Sequence, residues 1–319
     1  MRQFLILLMS VLPLFAASTS SALSLDQKLL ALVPPGAQAV AGMDSPPPRD
    51  KAGSFVLITH KNTMDLEDFF ALTGADTSRS VHHAVFVAMD GGTNGLDEHS
   101  LLVSGHFDQT HVYKSAADGG ASLVQYRGIS VMTIQPFARE LKTFNEIRWL
   151  AILDSDLLLF GSITSVREEL DRYLDGSATD PVLLHKLARM RNDDETWSVL
   201  AVPARNPEIQ VALESLDSKL ADLAKGAEAF QFGVRYRKQV EFEYEVTMAT
   251  VTAPPAIPNP LMQSFVRPGK GAWLLPSGVT GNDNTVRGVI KIPVAQFSKW
   301  MAGISGSSRG PTVTAPVNP

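Results

Sequence analysis

The chain has 319 residues, 45% of them apolar and 19% charged, with a net charge of −5 and no cysteine. That balance belongs to a chain that folds, and its mild acidity opposes a phosphate backbone, which argues against nucleic acid as a partner. The missing thiol excludes disulfides, cysteine nucleophiles, cysteine-bound zinc, iron–sulfur clusters and a lipid-modified cysteine.

Arg2, the apolar run 4–17 (broken by Ser10 and Pro13) and the small residues Ser20-Ser21-Ala22 follow the pattern of a secretory signal peptide. The run is shorter than the roughly 20 residues of a spanning helix. Residues 1–22 are therefore expected to be a leader, and the chain to be exported to the periplasm or the extracellular space. An exported chain of this size without disulfides or Asn-X-Ser/Thr acceptors points to a bacterium. No later stretch reaches the roughly 18 apolar residues of a spanning helix, so no transmembrane segment is expected in the mature chain.

Residues 23–33 have the pattern of a short amphipathic helix, stopped by Pro34-Pro35-Gly36. A strand is predicted over 38–43, a Pro-rich loop over 45–50 and a short strand over 55–59. A helix is predicted over 64–73, capped by Asn62 or Thr63 and ended by Gly74. Strands over 81–89 and 101–107 flank a Gly-rich loop at 91–95, and a short helix follows near 109–117. Arg127-Gly128 and Asp154-Ser155-Asp156 read as the turns of two hairpins, 123–134 and 148–160. Ser165-Val166-Arg167-Glu168 has the form of a capping box; it opens a helix whose stripe is Val166, Leu170, Tyr173 and Leu174 and which Gly176 closes.

In the second half a helix is predicted over 181–191 and a strand over 197–202. Asn206-Pro207-Glu208 starts a long helix with Ile209, Leu213, Leu216, Leu220 and Leu223 on one face, ended by Lys225-Gly226. Alternation over 230–237 and 240–248 predicts a hairpin. Its expected register sets Arg237 opposite Glu241 and Arg235 opposite Glu243 on a solvated face. On the dry face it stacks Tyr236 on Phe242, Val234 on Tyr244 and Phe232 on Val246. A Pro-rich connection (253–260), strands over 272–275 and 286–292, and a helix over 294–304 complete the folded part. Residues 305–319 are expected to be a disordered tail. Consecutive strands joined by short turns predict an α+β fold, antiparallel sheets with helices packed on one face. The repeated style points to two related modules, 23–176 and 177–304.

Six of the seven histidines fall between His60 and His111: His60, His82, His83, His99, His106 and His111. Pairing of strands 81–89 and 101–107 would bring His82 or His83 near His106, with Asp108 as a possible oxygen ligand of a metal. The competing reading is scattered strand and loop histidines, since no closely spaced ligand pair is present. Asp154-Ser155-Asp156 matches the Asp-X-Asp of metal-dependent glycosyltransferases, but turn chemistry explains it without a metal. Glu241, Glu243 and Glu245 line one strand face and read as ion-pair partners of Arg235 and Arg237. Gly269-Lys270-Gly271 lacks the frame of a phosphate loop, and the residues 303–307 lack that of a nucleophile elbow. No catalytic, cofactor-binding or metal residue is assigned on this basis, and no cofactor.

Three stretches carry a resemblance: 32–34 with 39–44; Tyr126-Arg127-Gly128-Ile129; and Trp149 to Asp154 with Leu158, Gly161, Ser165-Val166-Arg167 and Leu170-Asp171-Arg172. They look like uncharacterised exported bacterial proteins, many acidobacterial, similar in style to the DUF3352-type family. The resemblance implies an α+β module, often duplicated, and no activity. The resulting expectation is an exported, non-catalytic binding or scaffold protein of the bacterial cell envelope, its partner an unknown envelope protein. The alternatives are a periplasmic carrier of an apolar ligand and a metal-dependent enzyme using the His-rich first half.

Overall fold

In the computed structural model, which describes residues 26–44, 56–59, 62–65, 81–89, 98–135, 147–189, 196–201, 227–248, 275–282 and 285–293, the strands gather into one antiparallel sheet. The first half contributes β1 (Ala39–Asp44), β4 (Val81–Ala88), β5 (His99–Gly105), β6 (Ser122–Tyr126), β7 (Ile129–Ile134), β8 (Arg148–Leu153) and β9 (Leu157–Ser162). The second half contributes β10 (Thr196–Ala201), β11 (Ala227–Tyr236), β12 (Gln239–Met248), β13 (Leu275–Asn282) and β14 (Thr285–Pro293). The 12 strands run in the order β13-β14-β12-β11-β10-β1-β4-β5-β9-β8-β7-β6, while β2 (Val56–Thr59) and β3 (Asn62–Asp65) form a separate ladder. Four helices are described: α1 (Gln27–Leu32), α2 (Gln109–Asp118), α3 (Ile163–Leu174) and α4 (Pro181–Leu187).

The sheet is continuous across the two halves, because β1 pairs with β10 from Ala39↔Leu200 to Met43↔Thr196. Each half then traces one path away from that seam. A meander leads outward (β1-β4-β5 and β10-β11-β12), and a second meander returns so that its last strand lies beside the first (β9 on β5, β14 on β12). Each path also opens in the same way. Asp26 caps α1 by accepting from the Lys28 and Leu29 amides, and Asp180 caps α4 by accepting from the Val182 amide. In both helices two leucines follow at the third and fourth positions, Leu29-Leu30 and Leu183-Leu184.

The expected α+β fold with helices layered on a sheet is overturned: this is a β-rich fold. The described helices are only 6 to 12 residues long. They cover parts of the sheet and do not form a layer of their own. Nor is one face solvated in the middle of the sheet, since every residue of β5, β8 and β9 is buried. One face packs Val40, Val85, Val87, Leu102, Leu159 and Val199 against Leu29, Leu30, Val166, Leu170 and Leu183 of the helices. The other buries Phe86, Leu101, Leu158, Phe160, Phe230 and Phe232. Burying each such side chain contributes roughly 1.5–3 kcal/mol, so the sheet itself carries the stability.

Local differences have local causes. Residues 62–65, placed partly in a helix by sequence, pair as β3 with β2 from Val56↔Asp65 to Thr59↔Asn62; the ladder wins over a helix start at Asn62-Thr63, both weak helix formers. The remainder of that helix lies outside the described residues. So do the leader, the loops 45–50 and 91–95, the helices 207–225 and 294–304, the Pro-rich connection and the tail. The Ser165 box is not the cap of α3. Ser162, the last residue of β9, caps it, its Oγ accepting from the Ser165 amide at 3.1 Å while bonding Glu98 at 2.5 Å and the Ser165 hydroxyl at 2.9 Å. Ser162→Ala is expected to lower stability by about 1–2 kcal/mol, read as a drop in the urea midpoint at unchanged slope. The helix ends as Gly176 predicts. The Gly176 and Ser177 amides donate to Tyr173 and Arg172 carbonyls, with Gly176 at φ 62°.

The β11–β12 hairpin forms two residues out of the expected register. Arg235 faces Glu241, Val234 faces Phe242 and Phe232 faces Tyr244. A shift of two preserves which residues share a face, so alternation alone does not discriminate the two registers. The polar face of this hairpin is not the solvated one foreseen. Gln231, Arg235 and Glu245 are buried. Arg189, just past α4, reaches Glu245 at 2.7 Å, Arg287 pairs with the same carboxylate, and Lys291 pairs with Glu241 at 3.0 Å. With Arg235 pairing with Glu241 and Glu243, the three glutamates are partners in an ion-pair network that is buried at Arg235 and Glu245 and open to solvent at Arg287 and Lys291.

Candidate functional site

The β4–β5 register, with a bulge between Val81 and His83, sets His83 opposite Ser104 and Val81 opposite Gly105. The β5–β9 register then sets Ser104 opposite Leu157, which brings the β8–β9 turn to the same end of the sheet. That turn is held on both sides. The Asp156 amide donates to the Leu153 carbonyl at 3.2 Å, and Gly105 and Phe107 amides donate to the Asp156 and Ser155 carbonyls at 2.9 and 2.8 Å. Asp154 and Ser155 both take the left-handed conformation, φ 50° and 57°, as a tight hairpin turn requires. Tyr173 of α3 donates its hydroxyl to Asp154. Asp156, the third residue of the turn, is left facing α1, where Lys28 Nζ meets its Oδ2 at 2.7 Å.

These elements border an open cleft of about 290 Å³, lined by Asp26, Gln27, Lys28, His82, His83, Ser104, Gly105 and Asp156. A minor hollow with room for no more than about one water adjoins it, sharing Asp26 and His83 and floored by Leu29, Leu30, Gly42 and Trp197. Two atoms of the cleft stand out. Ser104 is 5% exposed, and its Oγ has no hydrogen-bond partner. The Oδ1 of Asp156 is likewise shielded and unpartnered, although Oδ2 is paired. A buried polar atom without a partner costs about 1–3 kcal/mol, so two in one cleft are a feature to explain. The Asp156 hydrogen bond and charge raise the pKa of the Lys28 ammonium, which keeps it a donor.

The histidines divide. His82 and His83 line the cleft, and His106 and His111 are exposed. His99 is buried on the opposite face, its ring stacked on Phe86 at 5.8 Å. Asp108 accepts from the His111 amide at 3.1 Å as the cap of α2. His60, Lys270 and the 303–307 segment lie outside the described residues. Among the described residues no group of three His, Asp or Glu is placed to hold a metal ion. Ser104, His83 and Asp26 share the cleft, but Ser104 Oγ bonds to nothing, so the contact that would draw off a nucleophile's proton is not made.

No known protein family matches the chain, and no curated protein or solved structure matches it. The site is therefore read from its own geometry. Sequence reasoning singled out His82, His83 and Asp156 and missed Ser104 and Lys28. The one sequence signal for Ser104 is a hydroxyl directly after the apolar run Leu101-Leu102-Val103.

Tyr126, Arg127, Trp149, Arg167 and Asp171 also meet, where the β6–β7 turn packs on α3. Arg127 pairs with Asp171 and Asp175 at 2.7 and 2.9 Å, and the Tyr126 hydroxyl donates to Asp171. Arg167 lies over the rings of Tyr126 and Trp149, at 5.8 and 5.5 Å. Hydrogen bonds from Arg127 lower the pKa of the Asp171 carboxyl, against the effect of partial desolvation. The cluster ties the β6–β7 turn to α3 and is fully engaged with itself, which makes it architectural.

Proposed function

We propose that this protein is a non-catalytic binding protein acting outside the cytoplasm of a bacterium, and that it holds a small polar ligand in the cleft between α1, the β4–β5 ladder and the β8–β9 turn. The leader-like pattern of residues 1–22 supports the location. The observation that carries binding is that two residues lining one open cleft, Ser104 and Asp156, each hold a shielded polar atom without a partner, Oγ and Oδ1. The cleft's volume of about 290 Å³ lies at the lower edge of the range of small-molecule sites, roughly 300–1,000 Å³, so it suits a small ligand. Its polar lining argues against the apolar carrier, and the unbonded Ser104 argues against covalent catalysis.

Native mass spectrometry of the full chain recovered from its own envelope fraction tests this reading. A substoichiometric or stoichiometric adduct of a small polar molecule is expected, released by denaturation and lost in the Ser104→Ala/Asp156→Asn double variant. A bare mass in every preparation, or an adduct indifferent to both substitutions, would refute binding at this cleft.

A further inference from the structure

The class of ligand follows from how charge is arranged in the cleft, and this inference rests on the binding function proposed above. Lys28 and Asp156 neutralise one another at 2.7 Å, yet each keeps unused capacity. Asp156 retains Oδ1 as an acceptor, and the ammonium of Lys28 retains donors beyond the one it gives to Oδ2. Asp26 is engaged with the α1 amides through Oδ1. An anionic ligand would approach two carboxylates, and a cationic one would displace Lys28 from its partner. The lining holds two carboxylates and one ammonium, a net −1, so an anion is repelled, and a cation gains attraction only by competing with Lys28, which already sits on Asp156.

A neutral ligand that both donates and accepts meets no such penalty. An acceptor and a donor held side by side match two adjacent hydroxyls, one donating to Asp156 Oδ1 and the other accepting from Lys28 Nζ. Ser104 Oγ, buried and able to donate and accept, serves a third hydroxyl. His82 and His83 add polar edges at the rim. Hydrogen bonds to charged partners are the stronger kind, which lets a small neutral molecule be held without an ion pair. We propose that the cleft is a binding site for a neutral polyhydroxylated ligand, a saccharide or cyclitol, that bridges Asp156 and Lys28 with vicinal hydroxyls and engages Ser104 with a third.

Saturation-transfer NMR and calorimetry on the full chain decide the matter. The neutral probes are trehalose, N-acetylglucosamine, glucose and myo-inositol; the charged probes are inorganic phosphate and putrescine. Saturable binding of at least one neutral probe is expected, with no binding of phosphate or putrescine. Asp156→Asn should weaken it by about tenfold or more, the scale of a lost charge-assisted hydrogen bond. Ser104→Ala should weaken it several-fold. That hydroxyl makes no bond in the protein, so the melting temperature of Ser104→Ala should not fall, and the lost affinity cannot be ascribed to unfolding. Lys114→Ala, which breaks only an exposed pair with Asp118, should leave affinity unchanged.

Failure of all four neutral probes overturns the proposal, as does neutral binding that ignores both cleft substitutions. If phosphate or putrescine binds instead and Asp156→Asn or Ser104→Ala abolishes it, the ligand class is refuted while the binding function stands. If no probe binds and the recovered protein carries no adduct, both fall.

Discussion

Gly161→Ala is expected to destabilise the protein by about 3 kcal/mol or more. Gly161 lies in β9 between two ladders, paired with Ser100 of β5 and Trp149 of β8. A Cβ there would stand 2.4 Å from the His99 carbonyl oxygen and 2.6 Å from the Ser100 Cα. Both are backbone atoms of a hydrogen-bonded neighbour, so neither can turn aside as a side chain can. Relief requires parting β5 from β9 at the middle of the sheet, where Ser100 also holds the buried carboxyl of Glu169. Gly176→Ala supplies the comparison. Nothing lies within 4 Å of the added methyl there, and the only penalty is a left-handed residue at φ 62°, about 1–2 kcal/mol. Urea unfolding of both variants measures the difference. Equal midpoints would show that the β5–β9 ladder is slack enough to absorb a methyl, contrary to the packing described.

What could be read from the sequence follows the range of the interaction that decides it. The Arg127-Gly128 and Asp154-Ser155-Asp156 turns were legible because turn chemistry is local, and the structure places left-handed residues in both. The end of α3 at Gly176 was legible for the same reason. The cap at Ser162 was not, since Ser165 offers an equally good pattern and only the position of β9 decides between them. Parity in the β11–β12 hairpin was legible, but its register was not. Arg235 reads as exposed in an alternating strand, yet it is 3% exposed and pairs with Glu241 across the hairpin at 2.7 Å, while Arg189 and Arg287, from distant segments, converge on Glu245 of the same face. The union of the halves through β1 and β10 is a contact between residues about 160 apart, and nothing in either strand announces it. The candidate cleft fails for a related reason. Asp156 was explained by its turn, and that explanation was correct but incomplete. Two ladder registers and the placement of α1 were needed to bring Lys28 and Ser104 beside it.

Glu169→Gln is expected to stabilise the protein at pH 8.5 and to leave it little changed at pH 5. Glu169 projects from α3 into the core, is 0% exposed, and accepts a hydrogen bond from Ser100 at one oxygen while the other has no partner. Burial pushes its carboxyl up from the ordinary 4.5 to about 8; the Ser100 bond opposes the shift and the charge of Glu168 adds to it. The native state therefore keeps a proton that the unfolded chain releases between pH 4.5 and 8. With fewer protons bound in the unfolded state, wild-type stability declines as pH rises through that window and bears the full penalty above 8. The shift corresponds to a penalty of order 5 kcal/mol. Glutamine keeps an acceptor for Ser100 and cannot ionise, so its stability should lack this slope. Chemical unfolding of wild type and variant at half-unit steps from pH 5 to 8.5 should give curves that diverge steadily toward high pH. Parallel curves would mean that the carboxylate is solvated in the native state, and that α3 does not seal the sheet at Ser100.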